Sequence, residues 1–291
     1  MISLDDWRDS GTTFEFRGHQ VRVYEGGQAQ GNALLLIHGF PTAAWDWHRL
    51  WGPLGESYRL VAPDLLGYGF SDKPTNIEYS FALQADLCEA VLAAKSVGRF
   101  HVLAHDYGDT VAQELLARRG GRSEGELTSV CLLNGGIFPE RQQPRPIQKM
   151  LAGPLGPLLC RLIGKEQALR SLNRVFGPET HPDAATQDAL WRLMDHAHGR
   201  RVMPLLLSYL RERMTWRDRW VDALVNCPVP LMLIDGTLDP VSGENMVARW
   251  RELLPEAALT ELPGVGHYPQ LEAPDQVLAA YLPFLRQAII S

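Results

Sequence analysis

Short apolar runs recur along this chain, separated by longer stretches whose apolar residues fall at helical spacing. Six runs read as buried strands: Ala33 to Ile37, Tyr58 to Ala62, His101 to Ala104, Ser129 to Leu133, Leu231 to Ile234 and Leu259 to Leu262. Helices are predicted over Trp45 to Trp51, Phe81 to Ala94, Thr110 to Arg119, Asn245 to Leu254 and Gln276 to Gln287. Strand and helix in alternation predict an α/β fold, a mostly parallel sheet with crossover helices. Ahead of it, Thr13 to Arg17 and Val21 to Tyr24 alternate with period two and predict a hairpin turning at Gly18-His19. From Gly135 to about Val221 the alternation stops. Helix-like pieces there are broken by Pro144, Pro146, Pro154, Pro157, Pro178, Pro182 and Pro204. The expected organisation is a core of residues 1–136 and 222–291 with a helical cap, 137–221, over the carboxyl edge of the sheet, where open α/β sheets bind ligands. Met150 to Leu159 is apolar enough to line a pocket, although packing beneath the cap is the simpler role for any one residue.

Composition narrows the function classes. Hydrophobic residues make up 45% and charged ones 21%, enough to build a core. The net charge of −6, from 28 basic and 34 acidic residues, leaves no footprint for nucleic acid. Cys88, Cys131, Cys160 and Cys227 are far apart and show neither metal spacing nor a disulfide framework. The acidic start, Met1 to Trp7, lacks the pattern of a signal peptide, and no run approaches the ~20 apolar residues of a membrane span. A soluble, cytoplasmic protein with no cofactor and a small apolar organic substrate is expected. Its oligomeric state is left open.

The chemistry centres on Ala104-His105-Asp106-Tyr107-Gly108, which follows a strand and opens a helix. Small residue, any residue, nucleophile, any residue, small residue is the frame of a nucleophile elbow, and the nucleophile here is Asp106. A carboxylate is ionised at neutral pH, so it can attack a saturated carbon directly and form an alkyl ester, leaving a histidine free to activate water. The partners follow in the order nucleophile, acid, histidine. Asp239 lies in the loop after Leu231 to Ile234, with Asp235 in reserve, and His267 stands in Gly264-Val265-Gly266-His267. The flanking glycines are expected to let the imidazole approach the elbow. Upstream, Leu36-Ile37-His38-Gly39-Phe40-Pro41 breaks from strand to turn, and the amides of Phe40 and Tyr107 are the expected oxyanion hole. Plainer readings exist for each: Asp106 as a helix cap, Asp239 as a turn residue before Pro240, His267 as a satisfied loop histidine. Their joint order favours the catalytic reading.

With these pieces in place the chain resembles the α/β-hydrolase fold superfamily over essentially its full length. Within it, His38-Gly39-Phe40-Pro41, Gly67-Tyr68-Gly69-Phe70-Ser71-Asp72-Lys73-Pro74 and His105-Asp106-Tyr107-Gly108 are similar to signatures of the epoxide hydrolase and haloalkane dehalogenase group. Asn134-Gly135-Gly136-Ile137-Phe138-Pro139-Glu140 and His267-Tyr268-Pro269-Gln270-Leu271-Glu272 look like the mesoderm-specific transcript branch.

The resemblance implies tests. Haloalkane dehalogenases hold the halide with side-chain N–H donors, where this chain has Tyr107 and Phe40, so that cradle is incomplete. Dehalogenases of haloacids need arginines beside the elbow, where Tyr107 and Thr110 stand. Epoxide hydrolases present cap tyrosines, and Tyr209-Leu210-Arg211, followed by Trp216 and Trp220, is similar to the late one. No early tyrosine occurs between Ile137 and Ile147. Asp109 departs from the group; it is read as charging the first helical turn, or as a second carboxylate that raises a pKa near Asp106. His38 and His105 read as hydrogen-bonding loop residues, Arg211 to Arg219 as a solvated cap face, and Trp45, Trp47 and Trp51 as core. Epoxide hydrolysis therefore stands ahead of dehalogenation. The competitor from another class is a hydrolase-fold binding protein with weak or no turnover, and an esterase or lactonase ranks last.

Overall fold

Eight strands pair into one sheet in the order β1-β2-β4-β3-β5-β6-β7-β8: β1 (Thr12–Phe16), β2 (His19–Gly27), β3 (Ala33–Ile37), β4 (Arg59–Pro63), β5 (Arg99–His105), β6 (Glu126–Leu133), β7 (Leu231–Gly236) and β8 (Ala258–Leu262). The computed structural model describes residues 2–118 and 125–290. Only β2 runs against the others, pairing antiparallel with β1 and β4, and every pairing from β4 to β8 is parallel. The central strands are mostly apolar because both faces of a parallel sheet are covered, β3 being apolar throughout. Along β3, Leu35 and Ile37 enter one core while Leu34 and Leu36 enter the other.

The hairpin turns one residue earlier than expected. Arg17 (φ 53°) and Gly18 (φ 81°) take the left-handed conformations of a two-residue turn, and His19 already pairs with Phe16. Helices α1 (Leu4–Ser10), α2 (His48–Gly55), α3 (Phe81–Ala94) and α4 (Tyr107–Arg118) precede β6. The apolar pattern does not predict the first; Ser3 caps it by accepting the Asp6 N–H at 3.1 Å, and Leu4 and Trp7 are buried beneath it. The helix expected from Trp45 is a 3₁₀ turn, Ala44–Trp47, that leads into α2. Helix α4 starts three residues before the expected Thr110, directly after the elbow; the predicted end at Arg119 lies outside the described residues.

Between β6 and β7 run α5 (Pro146–Leu151), α6 (Gly156–Leu162), α7 (Lys165–Asn173), α8 (Ala184–Asp195), α9 (Met203–Leu206), α10 (Tyr209–Thr215) and α11 (Arg217–Val225). Helix α11 lies along α4, where the Trp220 indole N–H donates to Glu114 at 2.8 Å. The apolar stretch expected to line a pocket faces outward instead: Met150, Leu155 and Leu158 are 47%, 67% and 57% exposed, while Leu151 packs inward. The chain closes with α12 (Glu244–Leu253), α13 (Pro269–Glu272) and α14 (Pro274–Ile290). Among the described residues no helix is long and apolar enough to cross a membrane.

Candidate active site

The parallel strands bring the candidate residues together. β3, β5, β6, β7 and β8 are successive neighbours, so the loops at their carboxyl ends carry Phe40, Asp106, Asn134, Asp239 and His267 to one edge. Asp106 sits between β5 and α4 with φ 47°, a conformation costly for a residue with a Cβ and expected at an elbow. Its amide donates to the Leu133 carbonyl at 3.0 Å. Gly108 must be small because a Cβ there would stand 2.3 Å from the Ile37 carbonyl oxygen, so α4 crosses β3 in direct backbone contact.

One carboxylate oxygen of Asp106, Oδ2, accepts the Phe40 N–H at 3.1 Å. Tyr107 is the first residue of α4, so its amide belongs to the helix amino terminus beside Asp106. Its phenol lies in the electrostatic reach of Glu212 and next to Gln84. His267 Nδ1 lies 2.7 Å from Asp239 Oδ2 and donates to it, which leaves Nε2 as the bare nitrogen of the neutral ring. Burial opposes charge on this imidazole, but Asp239, through its charge and hydrogen bond, and then Asp106 outweigh it and raise the pKa to about 9.

Asp239 is itself held on several sides. Burial would raise its pKa, yet His267, Ser242 and the Val241 N–H together hold it below the usual carboxylate range. The Val241 N–H reaches Oδ1 at 2.8 Å, and Ser242 Oγ lies 2.6 Å from Oδ2. Asn134 Nδ2 adds a contact to Oδ2 at 3.2 Å, and its Oδ1 accepts the Gly236 N–H at 2.8 Å. Asp235, the reserve acid, has no hydrogen-bond partner for either oxygen; burial first, then Asp239, push its pKa well up. The acid paired with His267 is therefore Asp239.

Asp109 stands in the first turn of α4 with its side chain turned to the end of β6. Its Oδ1 accepts the Leu133 N–H at 3.4 Å, and burial, then the Asp106 charge, push its pKa well above the normal range. His38 and His105 are loop ties, as expected. His38 Nε2 accepts the Leu65 N–H at 3.0 Å, and burial pushes its pKa down to about 4. His105 Nε2 donates to the His267 carbonyl at 2.7 Å, with its pKa pushed down to about 3, first by burial. Gly266 serves another purpose than the one expected. A Cβ there would meet the Val175 carbonyl oxygen at 2.3 Å, so this glycine admits the helical insertion, whose Val175 carbonyl also accepts the His267 N–H at 2.8 Å.

Tyr209, at the start of α10, is buried with its ring 5.8 Å from that of Phe40 and 5.6 Å from that of Tyr107. Gln148 Nε2 donates to its hydroxyl at 3.1 Å, so the phenolic proton is left to give elsewhere. Burial and then the Asp106 charge push its pKa up.

Three residues join the site without having been expected there. Asn134 stands in a family-like motif with no role assigned to it, although an Asn closing an apolar run before two glycines is a fair signal for a left-handed turn, and its φ is 45°. Tyr68 follows Gly67; its buried hydroxyl has no partner, and burial, then Tyr107, Tyr209 and Asp106, push its pKa well up. Arg213 lies in the stretch read as a solvated face, yet it is 0% exposed. Its Nη2 donates to the Asp106 carbonyl at 2.9 Å and stands 3.7 Å from Asp106 Oδ1, and its guanidinium covers the Tyr209 ring at 4.7 Å. Its spacing from Tyr209, one helical turn, was the available signal. Among the described residues no group of three or more His, Cys, Asp or Glu could hold a metal ion.

The sequence model of the Alpha/beta hydrolase family matches residues 34–280. The mesoderm-specific transcript homolog protein of Bos taurus is 40% identical, over 97% of this chain and 88% of its own length. Among solved structures, haloalkane dehalogenase DbeA from Bradyrhizobium elkani superposes with a TM-score of 0.80 at 20% identity, covering 97% of this chain and 99% of its own. Epoxide hydrolase CorEH does so with a TM-score of 0.74 at 18% identity, covering 95% and 98%. At such identities the two structures speak for the fold alone. The family match and the full-length relative go further: this chain belongs to the alpha/beta hydrolase family, in the branch of the mesoderm-specific transcript proteins.

Proposed function

We propose that this hydrolase opens a small organic epoxide through a covalent ester on Asp106, with the helical insertion as its cap. The observation that carries the reading is the carboxylate of Asp106 in a left-handed elbow, one oxygen on the Phe40 amide at 3.1 Å, within electrostatic range of a histidine that Asp239 orients.

Oδ1 donates a lone pair to one ring carbon; the ring C–O bond breaks, and its electron pair stays on oxygen, which takes the Tyr209 proton. His267 Nε2 then removes a proton from water, and the hydroxide adds to the ester carbonyl carbon. The Phe40 and Tyr107 amides hold the resulting oxyanion. Collapse breaks the bond to the alkyl oxygen, which takes the proton from His267, while the acid proton left on Asp106 returns to the Tyr209 phenolate. The sum is epoxide plus water to diol, and the oxygen of water remains in Asp106.

Phenols rather than indoles favour oxygen over halide as the leaving atom. Tyr209 and Tyr68 supply O–H groups near Asp106, whereas the Trp220 indole is spent on Glu114. The rings of Phe40, Tyr68, Tyr107 and Tyr209 suit the hydrocarbon part of the substrate. Turnover of a terminal epoxide in heavy-oxygen water, followed by peptide mass analysis, tests the mechanism. Label in the Asp106 peptide is the expected result, and turnover without label there refutes the ester.

A further inference from the structure

Arg213 does more than that mechanism asks of it. Its guanidinium is a fully buried cation. Nε donates to Thr110 Oγ1 at 2.9 Å and Nη2 to the Asp106 carbonyl at 2.9 Å. Nη1 has no partner. It lies against Gly136, where a Cβ would stand 2.5 Å from Nη1 and 2.7 Å from the side-chain oxygen of Gln142. A clamp between α10 and the elbow explains Nε and Nη2; it leaves Nη1 with nothing to bind.

The charge balance points the same way. The nearest counter-charge to this buried cation is Asp106 Oδ1, 3.7 Å from Nη2. An ester on Asp106 is neutral, so alkylation removes that counter-charge, and a buried ion stripped of its partner is strongly disfavoured. Glu212 is the neighbour in sequence, but its carboxyl accepts the Phe81 N–H at 3.0 Å, and burial pushes its pKa up to about 7. A substrate that carries its own anion would restore the balance as the ester forms.

The geometry points to a small carboxylate as the substrate, with the epoxide on the carbon next to the acid group and that group held by Arg213 Nη1. A guanidinium presents donors in the plane that a carboxylate accepts, and such charge-assisted bonds are the strong ones. The hydrocarbon part still meets the aromatic rings, and the anion is read by the insertion. This inference rests on Asp106 being the nucleophile.

The test uses the His267→Gln protein, in which the ester should persist, and two probes of equal size, oxirane-2-carboxylate and oxirane-2-carboxamide. The rate of mass gain on the Asp106 peptide is measured for each. The carboxylate should label Asp106 roughly 10- to 100-fold faster, the range of a hydrogen bond to a charged group. Adding Arg213→Gln should level the two rates, and Arg213→Lys should retain part of the preference. Equal rates, or faster labelling by the amide, overturn the inference and leave Asp106 as nucleophile. An ester from neither probe overturns both. The comparison of two probes on one protein stands even if the Arg213 variants fail to fold.

Discussion

The floor and the roof of the site are built on different terms. The floor, Phe40, Asp106, Asn134, Asp239 and His267, hangs from the ends of neighbouring parallel strands, whose register leaves each loop little choice of place. The roof, Tyr209 and Arg213, comes from a seven-residue helix in a segment of short, proline-broken helices. Floor residues announce themselves by motif, because backbone geometry dictates small residues around them. Roof residues do not; only packing against the floor decides which of several similar side chains turns inward.

The sharpest way to break this division is at the floor. Asp106→Ala should lower turnover by about 10⁴-fold or more, the scale seen when a nucleophile is removed, while thermal unfolding stays cooperative. Activity surviving in that variant would move the chemistry elsewhere. Asp239→Asn should cost about 10³- to 10⁴-fold in kcat, since an amide can turn its N–H toward His267 and leave the proton on the wrong nitrogen. Stopped kinetics with normal ester formation but failed hydrolysis is the expected signature.

The seam between the two regions comes next. Trp220→Ala should destabilise the fold by about 3 to 5 kcal/mol, because it removes a buried indole and one of the donors to Glu114, leaving those of Arg118 and Arg219. One shifted transition in a thermal melt is expected; two would mean that the insertion folds apart from the sheet. At the roof, Tyr209→Phe should slow ester formation from an epoxide by about 10²-fold and leave ester hydrolysis unchanged. Equal slowing of both steps would deny the phenol its role as acid.

The mildest effect is the pH dependence. Ester hydrolysis needs neutral His267 and should rise about tenfold per pH unit up to its pKa. In the ester that pKa should fall below the value near 9 of the free protein, because alkylation removes the Asp106 charge that helps to raise it. Stability moves in the opposite sense. A raised pKa favours the protonated fold, so this contribution is complete below about pH 6.5 and is lost as the pH climbs through about 9. Single-turnover rates and melts across that window check both signs.

Much of the floor is legible in the apolar pattern and the motifs. The strand at Ala33–Ile37 and the helix at Phe81–Ala94 fall where that pattern puts them, and Asp106, Asp239 and His267 follow in the order that the strand ends impose. The errors cluster where tertiary packing overrides local pattern. Met150, Leu155 and Leu158 are apolar yet turned outward, and Arg213 is charged yet turned inward. Reasoning from chain neighbours looks for an arginine at Tyr107 and Thr110; the arginine that arrives stands 107 residues beyond Asp106 and bonds to Thr110 itself.

What the amino-acid order settles here is periodicity and sequence of parts: which runs must be buried, where the backbone must bend sharply, and in what succession nucleophile, acid and imidazole appear. Those follow from side-chain size, polarity and backbone allowance, all local properties. Which acid meets the imidazole, which carboxyl has its pKa driven up and which cation covers the nucleophile depend on distances across the sheet edge and on the exclusion of water there. Electrostatic energies in such a place grow as solvent is removed, and that removal is decided only when the insertion closes over the strands.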